Sequence, residues 1–563
     1  MMFRRQVKPG NPFVTGPLAA LCFLSGVNLR STLLAAVLTS SAVLLLQLPF
    51  LAQSKSAIEG VVLEADTDRP LEGVTVSATS AEHTHQVMTD SKGRFTIDPA
   101  TAGHYRLTPV RQGMVYARPA RLKAPREPGV WVDVSSGSVQ DVQLRMVREA
   151  IITGRVLDSD GNPFPAVQGR VAVQRYAYDE RGTKRLSAVP VVHDGSIGTY
   201  GRMDDRGVYR LYGLQPGDYY VSAGGGGVAR FYPGTPDETS AQAVHVNAGE
   251  EVRLTTIILP AQKRFRVRFR FASVDGKSIS ESVAGSTISL HTKEGSVLVS
   301  MSGFFFFGGQ MPAEPDVRTF DLPPGQYDQL IGLTGMITRT ELFYGHAAFN
   351  VADADTEVGV PVSRGLRVTG SIRLEDAGGT HPSPTGVWCR LYTDGPHIET
   401  VGASTRTGCL GAAFSPALYE LEMAGMPPDA YVESAQASGE DILAKGLQLN
   451  RDTELGIVIR SPGSVIEGFV KNSSGETLAD AVVALVPDAP ARSAGLRYRS
   501  VISDVHGRYQ LRGIAPGSYR LFAWDELEGA AYRNAEFMKD FEGKGKPVKF
   551  EKADRVSADV TAF

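Results

Sequence analysis

The chain is predicted to be all-β, a tandem array of about five β-sandwich modules. Three observations predict it. A two-turn phrase, Asp-x-x-Gly and then Pro-Gly, recurs along its length. Short segments that alternate apolar and polar residues lie between these turns, as half-buried strands do. Long runs of helical period are scarce, and 60 glycines with 33 prolines in 563 residues suit a turn-rich fold.

The phrase is fullest at Asp204-Asp205-Arg206-Gly207-Val208-Tyr209-Arg210-Leu211, followed by Pro216-Gly217-Asp218-Tyr219-Tyr220-Val221. It returns at Asp504-Val505-His506-Gly507-Arg508-Tyr509, followed by Pro516-Gly517-Ser518-Tyr519. An earlier copy runs Asp90-Ser91-Lys92-Gly93-Arg94-Phe95, then Gly103-His104-Tyr105. Worn copies hold Pro323-Pro324-Gly325-Gln326-Tyr327, and Tyr419-Glu420-Leu421 with Pro427-Pro428-Asp429-Ala430-Tyr431. Asp can bond the backbone two residues on, and Gly supplies positive φ, so Asp-x-x-Gly is a turn. Pro-Gly is a second turn. The phrase is therefore a strand, a tight turn and a strand, with one apolar face. Its tyrosine resembles a tyrosine corner, with a buried ring and a hydroxyl bonded to nearby backbone.

Other landmarks share the period. A Gly-containing strand opens most copies, at Gly60, Gly154, Gly370 and Gly468. An alternating strand closes each, as in Val358 to Val362 and Leu455 to Ile459. Taking Tyr105, Tyr219, Tyr327, Tyr431 and Tyr519 as anchors, the copies repeat every ~100 residues, the size of a seven-strand sandwich. The expected organisation is a leader over 1–56, then modules over 57–148, 149–261, 262–363, 364–461 and 462–563. The fifth carries a short helical insert, Ala531 to Phe541, read as a lid in which Phe537, Met538 and Phe541 share a face.

The pattern G-x-V, G-x-P-x-x-x-A/G-x-V, D-x-x-G-x-F/Y and P-G-x-Y resembles the carboxypeptidase regulatory-like domain family. That resemblance implies a Greek-key, transthyretin-like sandwich in every module. Copies one, two and five carry the pattern well, and three and four carry it mainly in the second hairpin and closing strand. It also implies a large exported multi-copy protein of bacterial type, a non-catalytic and often carbohydrate-binding-like module, and no particular substrate.

Arg4, Arg5, Lys8 and Arg30 precede an uncharged run from Ser31 to Ala52. Two readings stand, a long signal peptide and an uncleaved membrane anchor, and both export residue 57 onward. Membrane association is expected only through that segment. The formal net charge is −3, with no basic stripe, which argues against nucleic acid. Cys389 and Cys409, with 19 residues between them, are the two cysteines of the exported part. They are a candidate disulfide in an oxidising compartment, two buried thiols being the alternative.

No catalytic, metal or cofactor residue is assigned. His291 and Glu294 with distant His397 mimic the ligand spacing of zinc carboxypeptidases, but residues three apart on a strand face opposite sides. His83 and His85 are read as a solvated loop. Phe304, Phe305, Phe306 and Phe307 must point to both faces of a strand, so one face can enter the third core and the other must meet a neighbouring module, a partner or a ligand; core or inter-module packing is the first reading and a partner surface the second. Trp131, Trp388 and Trp524 could stack on sugar rings, and buried cores are the expected home of each. The expected function is an exported, non-catalytic binding or spacer module of the cell envelope, its partner a polysaccharide or an envelope protein. The alternatives are a carbohydrate- or peptide-binding protein using exposed aromatics, and an accessory subunit of an extracellular hydrolase. Short linkers suggest modules set end to end, reaching on the order of 150 Å from strands near 20 Å.

Overall fold

The computed structural model describes residues 56–563, except 81–82, 101–102, 118–128, 135–138, 165–168, 194–195, 226–227, 261–262, 276–285, 292–296, 303–313, 315, 336–341, 377, 379–385 and 394–411. The leader, the Phe304, Phe305, Phe306 and Phe307 run, Glu294, His397 and Cys409 lie outside the described residues. No helix among the described residues is long and apolar enough to cross a membrane.

Each module repeats one strand-pairing scheme. In the first, Ser56–Glu64 pairs antiparallel with Arg94–Ala100 and parallel with the closing strand Val139–Arg148. The opposite sheet pairs Thr75–Thr79 with His104–Val110. In the second, Ala150–Asp158 pairs antiparallel with Val208–Leu214 and parallel with Glu251–Arg253 and Ile257–Leu259. Phe265–Ser273, Leu366–Glu375 and Ser464–Lys471 occupy the same place in modules three to five. A parallel partner cannot be reached by a hairpin, so the chain crosses to the other sheet and returns, as a Greek key requires. In the third module Leu342–Val351 pairs with strands of both sheets and joins them into one seven-stranded sheet.

The recurrent phrase explains itself at atomic level. The Asp204 carboxylate accepts the N–H of Arg206 at 3.0 Å and of Val208 at 2.7 Å. Asp90 and Asp504 do the same for the residues two and four ahead. The strand that follows buries its aromatic over the first-strand glycine, since Gly60 registers with Phe95, Gly154 with Tyr209 and Gly468 with Tyr509. A Cβ at Gly154 would lie 2.4 Å from the Tyr209 hydroxyl, so the ring needs a residue without one.

The Pro-Gly turn feeds a tyrosine corner. The hydroxyl of Tyr219 donates to Gln215 O at 2.7 Å, that of Tyr327 to Pro323 O at 2.7 Å, and that of Tyr519 to Ala515 O at 2.9 Å. In the fourth module the sequence reading needs correction. The corner is Tyr419, whose hydroxyl donates to Ser415 O at 2.8 Å, and not Tyr431. Tyr419 lies on Ala417–Ala424, which pairs with Trp388–Tyr392 as a corner strand should, whereas Tyr431 opens a strand of the opposite sheet. Ser415-Pro416-Ala417-Leu418-Tyr419 keeps the spacing of the motif without its glycine, so the later Pro427-Pro428 resembles the Pro-Gly turn more closely in sequence.

The fifth module has two cores. All six residues of Val482–Pro487 are buried, because both faces of that strand are covered. One face meets the sandwich interior with Tyr509, Leu521 and Phe550. The other meets Phe522, Trp524, Tyr532 and Met538. The insert supplies that cover, through a 3₁₀ turn at Ala531–Arg533 and one α-helical turn at Ala535–Met538. It blankets the outer sheet face, and it is less helical than its sequence suggested. Phe537 and Phe541 stack at 5.1 Å and both lie against Trp524.

The modules are not set end to end. Residues 56–563 form one compact unit. Tyr178 of the second module packs into the outer core of the fifth, Val505 of the fifth against the core of the first, and Leu496 of the fifth against the core of the fourth. The expectation of an extended rod failed because such docking faces carry no local motif.

Candidate functional site

Four modules enclose a cleft of about 1210 Å³. Strand alternation decides what lines it. Val130 and Val132 enter the first core, so Trp131 between them must face out. Cys389 and Leu391 enter the fourth core, so Trp388 and Arg390 face out. Tyr509 and Leu511 enter the fifth core, so Arg508, Gln510 and Arg512 face out. All six outward residues line the cleft.

This corrects the expected location of two tryptophans. Trp131 is 50% exposed and Trp388 45% exposed, both at the cleft, whereas Trp524 is 2% exposed and buried in the outer core. Both exposed rings sit on edge strands, Val130–Asp133 and Trp388–Tyr392. The Arg106 guanidinium lies 5.8 Å from the Trp131 ring centroid. A single tryptophan flanked by apolar residues gives no sign of which side it takes until its strand register is known.

One corner of the cleft is held by a clasp that sequence reasoning missed. Arg170–Tyr178 and Lys184–Ala188 are joined by Asp179-Glu180-Arg181-Gly182-Thr183. This is another Asp-x-x-Gly turn, in which Asp179 accepts the N–H of Arg181 and of Thr183, both at 2.9 Å. The spacing was visible, but no Tyr-x-Leu strand follows. The turn points Arg181 into the fourth module. Its guanidinium lies 3.1 Å from the Tyr392 ring centroid, bonds Glu422 and stands 3.8 Å from Glu420. Gly182 meets the fifth module. Asn534 Nδ2 donates to Gly182 O at 2.8 Å, and at φ +81° a Cβ there would lie 2.7 Å from the Asn534 nitrogen. Tyr178 meets Phe537 edge-on at 5.8 Å, and Arg175 pairs with Glu528 at 3.5 Å. Burial holds the Glu528 carboxyl above its ordinary range, against the pull of Arg175.

Several polar groups in and beside the cleft are tied into structure. The Asp504 carboxylate accepts turn amides, and Glu420 and Glu422 face Arg181. Burial pushes the Tyr509 hydroxyl far up, and that hydroxyl donates to Ala558 O at 2.6 Å. Glu467 is held below the usual carboxylate range, mainly by its bond from Arg555 and then by that from Gln510. Among the described residues, no group of three or more His, Cys, Asp and Glu side chains could hold a metal ion. His83 and His85 lie 6.3 Å apart, ring to ring, and His85 leans on Tyr105. Cys389 is buried and disulfide-bonded. The arrangement presents ring faces and guanidinium groups on rigid strands, which is the equipment of a binding surface.

Fold and cleft together define a multi-module β-sandwich protein with an open cleft, lined by arginines and exposed tryptophans, between its modules. Residues 57–145 match the carboxypeptidase regulatory-like domain. No curated protein matches the chain. Among solved structures it is similar to the Bacillus anthracis TIE protein, at 14% identity and TM-score 0.16, over 55% of this chain and 51% of that one. It thus spans about half the length of that protein. It is also similar to GBS52, the minor pilin of Streptococcus agalactiae, at 18% identity and TM-score 0.20, over 37% of this chain and 97% of that one. A third is BcpA, the major pilin subunit of Bacillus cereus, at 11% identity and TM-score 0.14, over 55% and 99%.

Proposed function

We propose that this is an exported, non-catalytic glycan-binding protein of the cell envelope, and that its ligand lies in the inter-module cleft. The carrying observation is that Trp131 and Trp388, from two different modules, are both half-exposed on one cleft. Exposed tryptophans are costly to keep on a soluble surface and suit the apolar faces of sugar rings. The clasp supports the reading, because a ligand bound between modules needs walls that are already in place. The disulfide at Cys389 supports a compartment outside the cytosol. In this reading the segment before residue 57 is an export signal or an anchor, and Cys409 is the disulfide partner.

The test is retention of the purified protein on a glycan array and on polysaccharide affinity gels. Retention that Trp131→Ala and Trp388→Ala each reduce, with unchanged circular dichroism, is the expected result. Absence of any retained glycan would sink the reading.

A further inference from the structure

We infer that the cleft selects an acidic polysaccharide, one carrying carboxylates on its sugar rings. This rests on the glycan-binding reading and names the chemistry of the ligand. The cleft is lined by six arginines and no lysine. Arginine's planar fork fits a carboxylate with two parallel bonds, which a lysine ammonium does not do.

The charges of the cleft do not cancel where they meet solvent. Of the four acidic residues lining the cleft, Glu420 and Glu422 face Arg181 of the clasp, Glu180 stands on the second-module clasp turn, and Asp504, the fifth module's one acidic lining residue, accepts amides of its own turn. The wall built by the fifth module is cationic in consequence. Arg508 makes no ion pair among the described residues, and Arg512 Nε donates only to the amide oxygen of Gln510, at 2.5 Å. Arg555 pairs with Glu467 at 3.1 Å. Arg508 and Arg512 stand on the same outward face, four residues and so about 13 Å apart along the strand. A polymer with an anion on successive rings can meet both, while Trp131 and Trp388 stack on ring faces. A neutral glycan would leave this wall unanswered.

Affinity electrophoresis of the full chain in gels containing polygalacturonate tests the inference, with hydroxyethyl cellulose as the neutral polymer and polyglutamate as the peptide polyanion. The inference expects retardation by polygalacturonate alone, weakening as salt rises, because exposed charges are screened. It expects the Arg508→Ala/Arg512→Ala double variant to lose affinity by about tenfold or more, since charge-assisted bonds are lost. Both side chains are exposed, so the variant should keep the parent's melting profile. Equal retardation by the neutral polymer, unmoved by the double variant, would overturn the inference and leave the glycan-binding reading intact. Polyglutamate binding as tight as polygalacturonate would also overturn it, since the site would then read charge without sugar. No retardation by either glycan would overturn both.

Discussion

Replacing Arg181 by alanine should loosen the joint between the second and fourth modules without unfolding either. The Arg181 side chain is 17% exposed, lies over Tyr392, and faces two carboxylates. A cation–π contact of this kind is worth about 0.5–2 kcal/mol. The ion pairs add about 0.2–1 kcal/mol at most, because Glu420 is well exposed, Glu422 is partly exposed, and solvent screens both. The combined loss of about 1–3 kcal/mol shifts the open–closed balance of the joint roughly 5- to 150-fold. The Asn534 bond to Gly182 and the Tyr178–Phe537 contact remain, so opening should be local to the fourth module. Hydrogen–deuterium exchange reads this directly. Amides of Trp388–Tyr392 and of the Asp179–Thr183 turn should exchange faster, while the core strand Ala150–Asp158 should not change. Unaltered exchange at the turn and at Trp388–Tyr392, with an unaltered radius of gyration, would refute the clasp as an energetic feature.

Three further outcomes follow from the repeat. Tyr519→Phe removes the corner bond to Ala515 O and should destabilise the fifth module by on the order of 1–2 kcal/mol, read as a lowered calorimetric transition, and no change would mean that the bond contributes nothing. Asp90 is held below its ordinary 3.8, first by the Arg94 N–H, so its stabilisation is complete above that pH and is lost as pH falls through the lower folded value. Asp90→Asn keeps the acceptor oxygen without the charge, so the urea midpoint of the first module should fall less steeply below pH 3.8 than in the parent. Peptide mapping without reductant should recover Cys389 joined to Cys409, and reduction should cost the fourth module about 3 kcal/mol, whereas an alkylatable thiol at Cys409 would exclude the bridge.

What the sequence alone determined is local. Asp-x-x-Gly, Pro-Gly and the tyrosine between them state their turns and buried faces within about a dozen residues, so the all-β, repeated-sandwich architecture was legible. The helical insert was legible as an aromatic cover, since Phe537, Met538 and Phe541 are close in sequence. The fourth corner was misplaced because its motif lacks the glycine, and only strand pairing singles out Tyr419. Tertiary structure alone decided the site. Which side of a strand Trp131 or Trp388 takes depends on register, and register depends on partners far along the chain. The cleft draws its walls from four modules, from His104 to Arg555. Contacts across hundreds of residues, such as Arg181 with Glu422, depend on how finished modules dock, and no short-range pattern encodes that.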